Sequence, residues 1–267
     1  MRNQQVKALS QRRRHPLAAV ALLLMGLLIT GGLYVAAGSV NEAKAASTYS
    51  ASDIENGNKL FVANCATCHG LQAQGSVNGP SLIGVGAAAV DFQVGTGRMP
   101  MQMQGPQAPS KPVQFADVEV GQLAAFVASL GAGPAIPEHG VLDTTKGNSA
   151  NGGTVFRVNC AMCHNAAAAG GALTRGKFAP ALAGVSEKHI YEAMVTGPQN
   201  MPVFNDANIT PDEKRDVITF LKEIETQGSP GGAKLGSLGP VSEGLFIWTA
   251  GLGVVIAFTI WLTSRPS

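Results

Sequence analysis

All four cysteines of the chain fall in two copies of one pentapeptide, Cys65-Ala66-Thr67-Cys68-His69 and Cys160-Ala161-Met162-Cys163-His164. The copies sit inside a longer internal repeat, which constrains the fold more tightly than any other feature. Residues 57–70 read GNKLFVANCATCHG and residues 152–165 read GGTVFRVNCAMCHN. Phe61 and Phe156 stand at one repeat position, Asn64 and Asn159 at another. Downstream, Gly79-Pro80-Ser81-Leu82 answers Ala179-Pro180-Ala181-Leu182. Thr96-Gly97-Arg98-Met99-Pro100 then answers Thr196-Gly197-Pro198-Gln199-Asn200-Met201-Pro202. Each copy ends in apolar residues at helical spacing: Val120, Leu123, Phe126, Val127 and Leu130, and then Val217, Phe220, Leu221 and Ile224. Thr210, Pro211 and Glu213 supply the N-cap, first-position proline and capping-box acid that start the second of these helices. The pattern predicts two small helical domains of one design.

The pentapeptide is the attachment motif for a c-type haem. Two residues between the cysteines place both sulfurs on one helical turn, matched to the two vinyl groups along a haem edge. Each sulfur forms a thioether, and the adjacent histidine is then held under the iron. A disulfide within each pair would explain neither histidine. A thioredoxin-like site would want a βαβ surround, and a structural zinc would want its two knuckles about 15–20 residues apart, so neither fits. The reading is two covalently bound haem c groups, held by Cys65, Cys68 and His69 and by Cys160, Cys163 and His164.

A methionine opposite the histidine raises the haem potential and closes the iron to small ligands. Met99, Met101 and Met103 are the candidates in the first copy, Met194 and Met201 in the second. The repeat selects Met99 and Met201, each of which precedes a proline in a glycine-containing loop. Met101 is the main rival of Met99. Met162 lies inside the attachment turn and is not expected to reach the iron. His139 and His189 fall outside the repeat pattern and are expected at the surface. The Pro80 and Pro180 carbonyls are placed to accept the ring N–H of the motif histidine, or these are simple loop prolines.

Two apolar runs, 17–38 and 244–263, are each long enough to cross a bilayer as a helix. Trp248 and Trp261 sit near the ends of the second, as in an interfacial belt. The first follows a basic tip carrying Arg2, Lys7, Arg12, Arg13 and Arg14, and Ala43-Lys44-Ala45 has the form of a signal cleavage site, so this run is either a retained anchor or a signal. The basic tip belongs in the cytoplasm by the positive-inside rule. The body between Ser47 and Pro240 holds 12 Lys and Arg against 15 Asp and Glu, a net of −3. That balance argues against nucleic acid, which needs a basic stripe on the folded domain.

Each repeat resembles a class I cytochrome c domain: a CxxCH helix, a Pro-x-Leu loop, a Met-Pro loop and a closing helix. The whole layout, from N-terminal apolar segment through CATCHG, CAMCH and TGxxNMP to a C-terminal membrane helix, resembles the family of dihaem cytochrome c subunits of actinobacterial cytochrome bcc complexes. The expected fold is all-α, two tandem class I cytochrome c domains plus a C-terminal transmembrane helix and an N-terminal apolar helix. The expected division is 1–46 tip and apolar segment, 51–133 first domain, 134–150 linker, 151–227 second domain, 228–243 linker and 244–263 transmembrane helix. The resemblance implies an electron-transfer subunit of a quinol–cytochrome c reductase, with no acid–base catalytic residues of its own. It implies a cytochrome b subunit, a Rieske iron–sulfur subunit and a terminal cytochrome c oxidase as partners. It also implies the cell membrane, with both haem domains on the extracytoplasmic side. A dihaem subunit of a periplasmic dehydrogenase is the alternative; a dihaem peroxidase is disfavoured by the two Met-Pro loops, since it needs an open iron.

Overall fold

The computed structural model describes residues 16–46, 49–227 and 240–264. The basic tip, most of the 228–243 segment and Arg265 lie outside the described residues.

A long N-terminal helix, α1 (Pro16–Ala46), precedes the first haem-motif domain, which is built from α2 (Ala51–Asn64), the short α3 (Ala66–His69), α4 (Ala87–Gly95) and α5 (Asp117–Ser129). Ser50 starts α2 by accepting the Asp53 N–H, and Glu119 starts α5 by accepting the N–H of Ala116. Helices α2 and α5 cross, and their apolar faces meet at Phe61 and Phe126, whose rings lie 5.1 Å apart. Val90, Val94, Leu123 and Val127 complete this core.

The second domain repeats the plan with α6 (His139–Leu142), α7 (Ser149–Asn159), α8 (Ala161–His164), α9 (Glu187–Thr196) and α10 (Pro211–Gln227). Asn148 caps α7 and Ser186 caps α9. At α10 the Thr210 N–H donates to the Glu213 carboxylate while the Glu213 N–H donates to the Thr210 hydroxyl, the reciprocal box that the sequence predicts. Helices α7 and α10 cross with Phe156 and Phe220 at the contact, 5.6 Å apart.

Both crossings rest on a glycine. A Cβ at Gly57 would run into the Gln122 carbonyl of α5, and one at Gly152 into the Asp216 carbonyl of α10. The clash is with backbone, so no rotamer relieves it. Gly57→Ala and Gly152→Ala are each expected to lower stability by about 1–3 kcal/mol, the usual cost of overpacking. Urea unfolding measures this, and an unchanged midpoint would mean that the helices do not cross there.

The domains differ in the loop after the motif histidine. Pro80 follows His69 by 11 residues, and Pro180 follows His164 by 16. The longer loop carries a small hairpin, β1 (Gly171–Ala172) against β2 (Phe178–Ala179), which the sequence pattern does not announce. Among the described residues the other named elements are helices, joined by loops. Residues 134–150 are not a bare connection: Ile136 packs on the first core, Val141 and Leu142 on the second, and the Pro134 carbonyl accepts the Ala88 N–H.

At the C-terminus α11 (Pro240–Phe246), a π-helical turn (Ile247–Gly251) and α12 (Leu252–Thr263) form one helical run. The spans Leu17–Val35 and Glu243–Thr263 are both long and apolar enough to cross a membrane, and neither is buried against the rest of the chain.

Candidate haem-attachment sites

The attachment turn is built the same way twice. Helix α2 stops at Cys65, whose carbonyl accepts from the Cys68 and His69 N–H groups at 3.1 and 3.0 Å. Helix α7 stops at Cys160, whose carbonyl accepts from Cys163 and His164 at 3.1 and 2.9 Å. This tight turn carries both sulfurs and the imidazole of each motif. The chain then leaves each turn at positive φ, through Gly70 at 80° and Asn165 at 69°. None of the four cysteines is joined to another in a disulfide. Burial first, and then the neighbouring cysteine, push the Cys65 and Cys160 thiols up to about 11.

The histidines are oriented identically. His69 Nδ1 lies 2.7 Å from the Pro80 carbonyl oxygen and His164 Nδ1 lies 2.9 Å from that of Pro180. A carbonyl only accepts, so each ring carries its proton on Nδ1 and keeps the Nε2 lone pair for a ligand. Burial pulls the His164 pKa down, which favours the neutral, ligating form. Gly79 lets the Pro80 loop lie against the motif, since a Cβ there would come within 2.8 Å of the Cys68 carbonyl oxygen.

Of the sulfur candidates, Met99 packs against the first core and Met201 against the second, both partly buried. Met101 is also partly buried, while Met103 is exposed. Met194 is fully inside the second core at 2% exposure, and Met162 is 91% exposed. Lysines that the sequence reading did not single out hold the two Met-Pro loops. Lys111 Nζ donates to the Pro100 carbonyl at 2.9 Å. Lys214, fully buried at the start of α10, donates to Asp206 at 2.6 Å and to the Ile209 carbonyl at 2.7 Å.

The two domains touch directly. The Gln107 side chain donates to the Phe178 carbonyl and accepts the Phe178 N–H, both at 2.8 Å, and so binds β2 as a strand would. The Ala108 N–H reaches the Gln199 side chain at 3.4 Å. Thus the loop after Met99 contacts the loop before Met201. A second contact joins α4 to α9, where Lys188 pairs with Asp91 at 2.7 Å. His189 sits here, edge-on to Phe92 at 6.1 Å. The expectation that His189 is a surface residue is therefore corrected: the domain contact leaves its side chain 18% exposed. His139 is exposed.

The cytochrome c family model matches residues 54–131, and the model described as cytochrome c oxidase, cbb3-type, subunit III matches residues 147–221. A Corynebacterium efficiens protein is 43% identical, over 97% of this chain and 93% of its own length. Proteins of Mycobacterium tuberculosis (40% identical, 96% and 93% covered) and Corynebacterium diphtheriae (39%, 97% and 98%) are similar throughout. All three are named cytochrome bc1 complex cytochrome c subunit. This chain belongs to that family.

A cytochrome bc1 complex cytochrome c subunit is a haem protein of electron transport, and cytochrome c domains carry haem bound covalently. The residues present fit that group: paired sulfurs on one turn, and an imidazole whose Nδ1 is taken by the proline carbonyl, which leaves Nε2 for a ligand. Bound haem supplies one-electron exchange at iron. The protein would supply the thiols and the oriented imidazole.

Proposed function

We propose that the chain is the dihaem subunit of a quinol–cytochrome c reductase in the cell membrane, taking electrons from a Rieske iron–sulfur subunit and giving them to a terminal cytochrome c oxidase. Two haem c groups are held by Cys65, Cys68 and His69 and by Cys160, Cys163 and His164, with Met99 and Met201 as the opposite iron ligands. Met99 is preferred over Met101 because it packs against the core of its domain. The observation that carries the reading is the direct contact of the two Met-Pro loop regions through Gln107, Phe178, Ala108 and Gln199. Two such domains held together present two ports without either needing to move. A tethered pair replaces diffusion by effective concentration, so no soluble carrier is required.

The helical run ending at Thr263 anchors the subunit and contacts the cytochrome b subunit, and both haem domains lie on the extracytoplasmic side. The mild net charge of the body suits fixed partners, because a diffusing shuttle relies on a strong one-signed field. The test is oxygen uptake by the purified assembly on adding quinol. Uptake without any added cytochrome c is expected. Strict dependence on a soluble cytochrome c would sink the proposal in favour of a dehydrogenase subunit. Removing residues 241–267 deletes a span long enough for one bilayer crossing. Co-purification of the cytochrome b subunit is expected to fall at least severalfold, and full assembly would contradict the anchoring role.

A further inference from the structure

At the contact between the domains, three donors converge from both sides. Asp91 comes from α4 of the first domain, His189 and Glu192 from α9 of the second. His189 Nε2 lies 3.6 Å from Asp91 Oδ2 and 3.9 Å from Glu192 Oε2, and all three donor atoms lie within 4.8 Å of one another. Glu192 is fully buried, and neither of its oxygens nor His189 Nε2 has a hydrogen-bond partner. Buried polar atoms without partners are rare and need an explanation. Gathered this closely, they ask for a proton donor or a cation. Lys188 answers only in part: its ammonium pairs with Asp91 and leaves both Glu192 oxygens unmet. Gly95 keeps the space at the imidazole open, since a Cβ there would stand 3.2 Å from His189 Nε2.

We infer that Asp91, His189 and Glu192 form a divalent transition-metal site of the Zn²⁺ type that straps the two domains together. Donors about 2.0–2.2 Å from a tetrahedral Zn²⁺ stand roughly 3.4 Å apart, so the cluster needs only a small closure to bind. One imidazole and two carboxylates suit Zn²⁺ better than Ca²⁺, which takes oxygen alone. The two carboxylate charges match the dication. Without metal, burial and then the charge of Asp91 push the Glu192 pKa up to about 9. Burial would likewise raise Asp91, but the nearby His189 imidazole and the Lys188 ammonium outweigh it and hold that carboxyl at about 2. Lys188, 41% exposed, swings into solvent when the cation enters.

The test uses the full-length haem-loaded chain in detergent, stripped with a chelator and titrated with Zn²⁺ by calorimetry. Metal retained after desalting is counted against iron. The expected result is one tightly held Zn²⁺ per chain, with a raised unfolding temperature. Glu192→Gln and His189→Gln should each weaken binding at least tenfold while the haem spectrum stays unchanged. Lys188→Met, which removes the competing ammonium, should tighten it. Gly95→Ala, which crowds the imidazole nitrogen, should weaken it without touching a donor. Absence of saturable binding, or equal binding in the wild type and Glu192→Gln, overturns the site. So does equal binding in Lys188→Met and Gly95→Ala, which covers the case of a Glu192 variant that fails to fold.

Discussion

Replacing Cys160 and Cys163 together by serine is expected to leave a chain with one covalent haem and an assembly that no longer passes electrons from quinol to oxygen. The expectation rests on local geometry. Both thiols sit on the single turn closed by the Cys160 carbonyl, with His164 held on the same turn by that carbonyl and by Pro180. Serine keeps the turn but cannot form a thioether. The mass of the chain under denaturing conditions reports the count directly. Two haems still attached after the change would refute the attachment reading. Flux should fall by orders of magnitude, because neither domain alone offers two ports. The same change at Cys65 and Cys68 should also abolish flux, but flash-initiated kinetics should separate the two. Loss of the accepting site leaves both c-type signals silent, whereas loss of the donating site leaves the other reduced and stranded.

Met201→His is expected to lower the potential of one haem and leave the other in place. A second imidazole stabilises ferric iron more than a thioether does. The shift should be on the order of 100 mV or more, well inside the roughly 0.8 V that axial ligands span. The weak long-wavelength band of sulfur-ligated ferric haem should fall by about half. Lys214 makes this loop a stiff host, since it ties Asp206 and the Ile209 carbonyl to the start of α10. Lys214→Met should therefore weaken the same band without removing the sulfur. A redox titration identical to that of the wild type would show that Met201 is not a ligand.

Much of the fold is legible in the sequence because its determinants are local. The apolar faces of α5 and α10 repeat at helical spacing, and the Thr210–Glu213 box occupies adjacent turns. The attachment motif is contiguous, since two thioethers and an imidazole must come from one turn. The proline carbonyls are legible as candidates because each follows its histidine within one loop.

What the sequence conceals lies between the domains. Gln107 and Phe178 are 71 residues apart and belong to no periodic pattern. Asp91 and Lys188 look like solvated helix charges until the helices are placed side by side. His189 has no neighbour in the chain that marks it as part of a domain contact. Lys111 and Lys214 read as ordinary surface lysines, because nothing local shows that a carbonyl or carboxylate awaits them. The hairpin at 171–179 is too short for alternation to register.

The Gln107 clasp has a consequence for how such a chain drifts over time. Its two partners on β2 are main-chain groups, the N–H and C=O of Phe178. Any residue but proline at 178 offers the same pair, so that position is free to change, and the join between the two halves tolerates its turnover. Position 107 has no such latitude. Only a primary amide presents one donor and one acceptor side by side, and asparagine, one methylene shorter, would fall short. Substitutions collected across a randomised library selected for respiration should accumulate at 178 and be purged at 107.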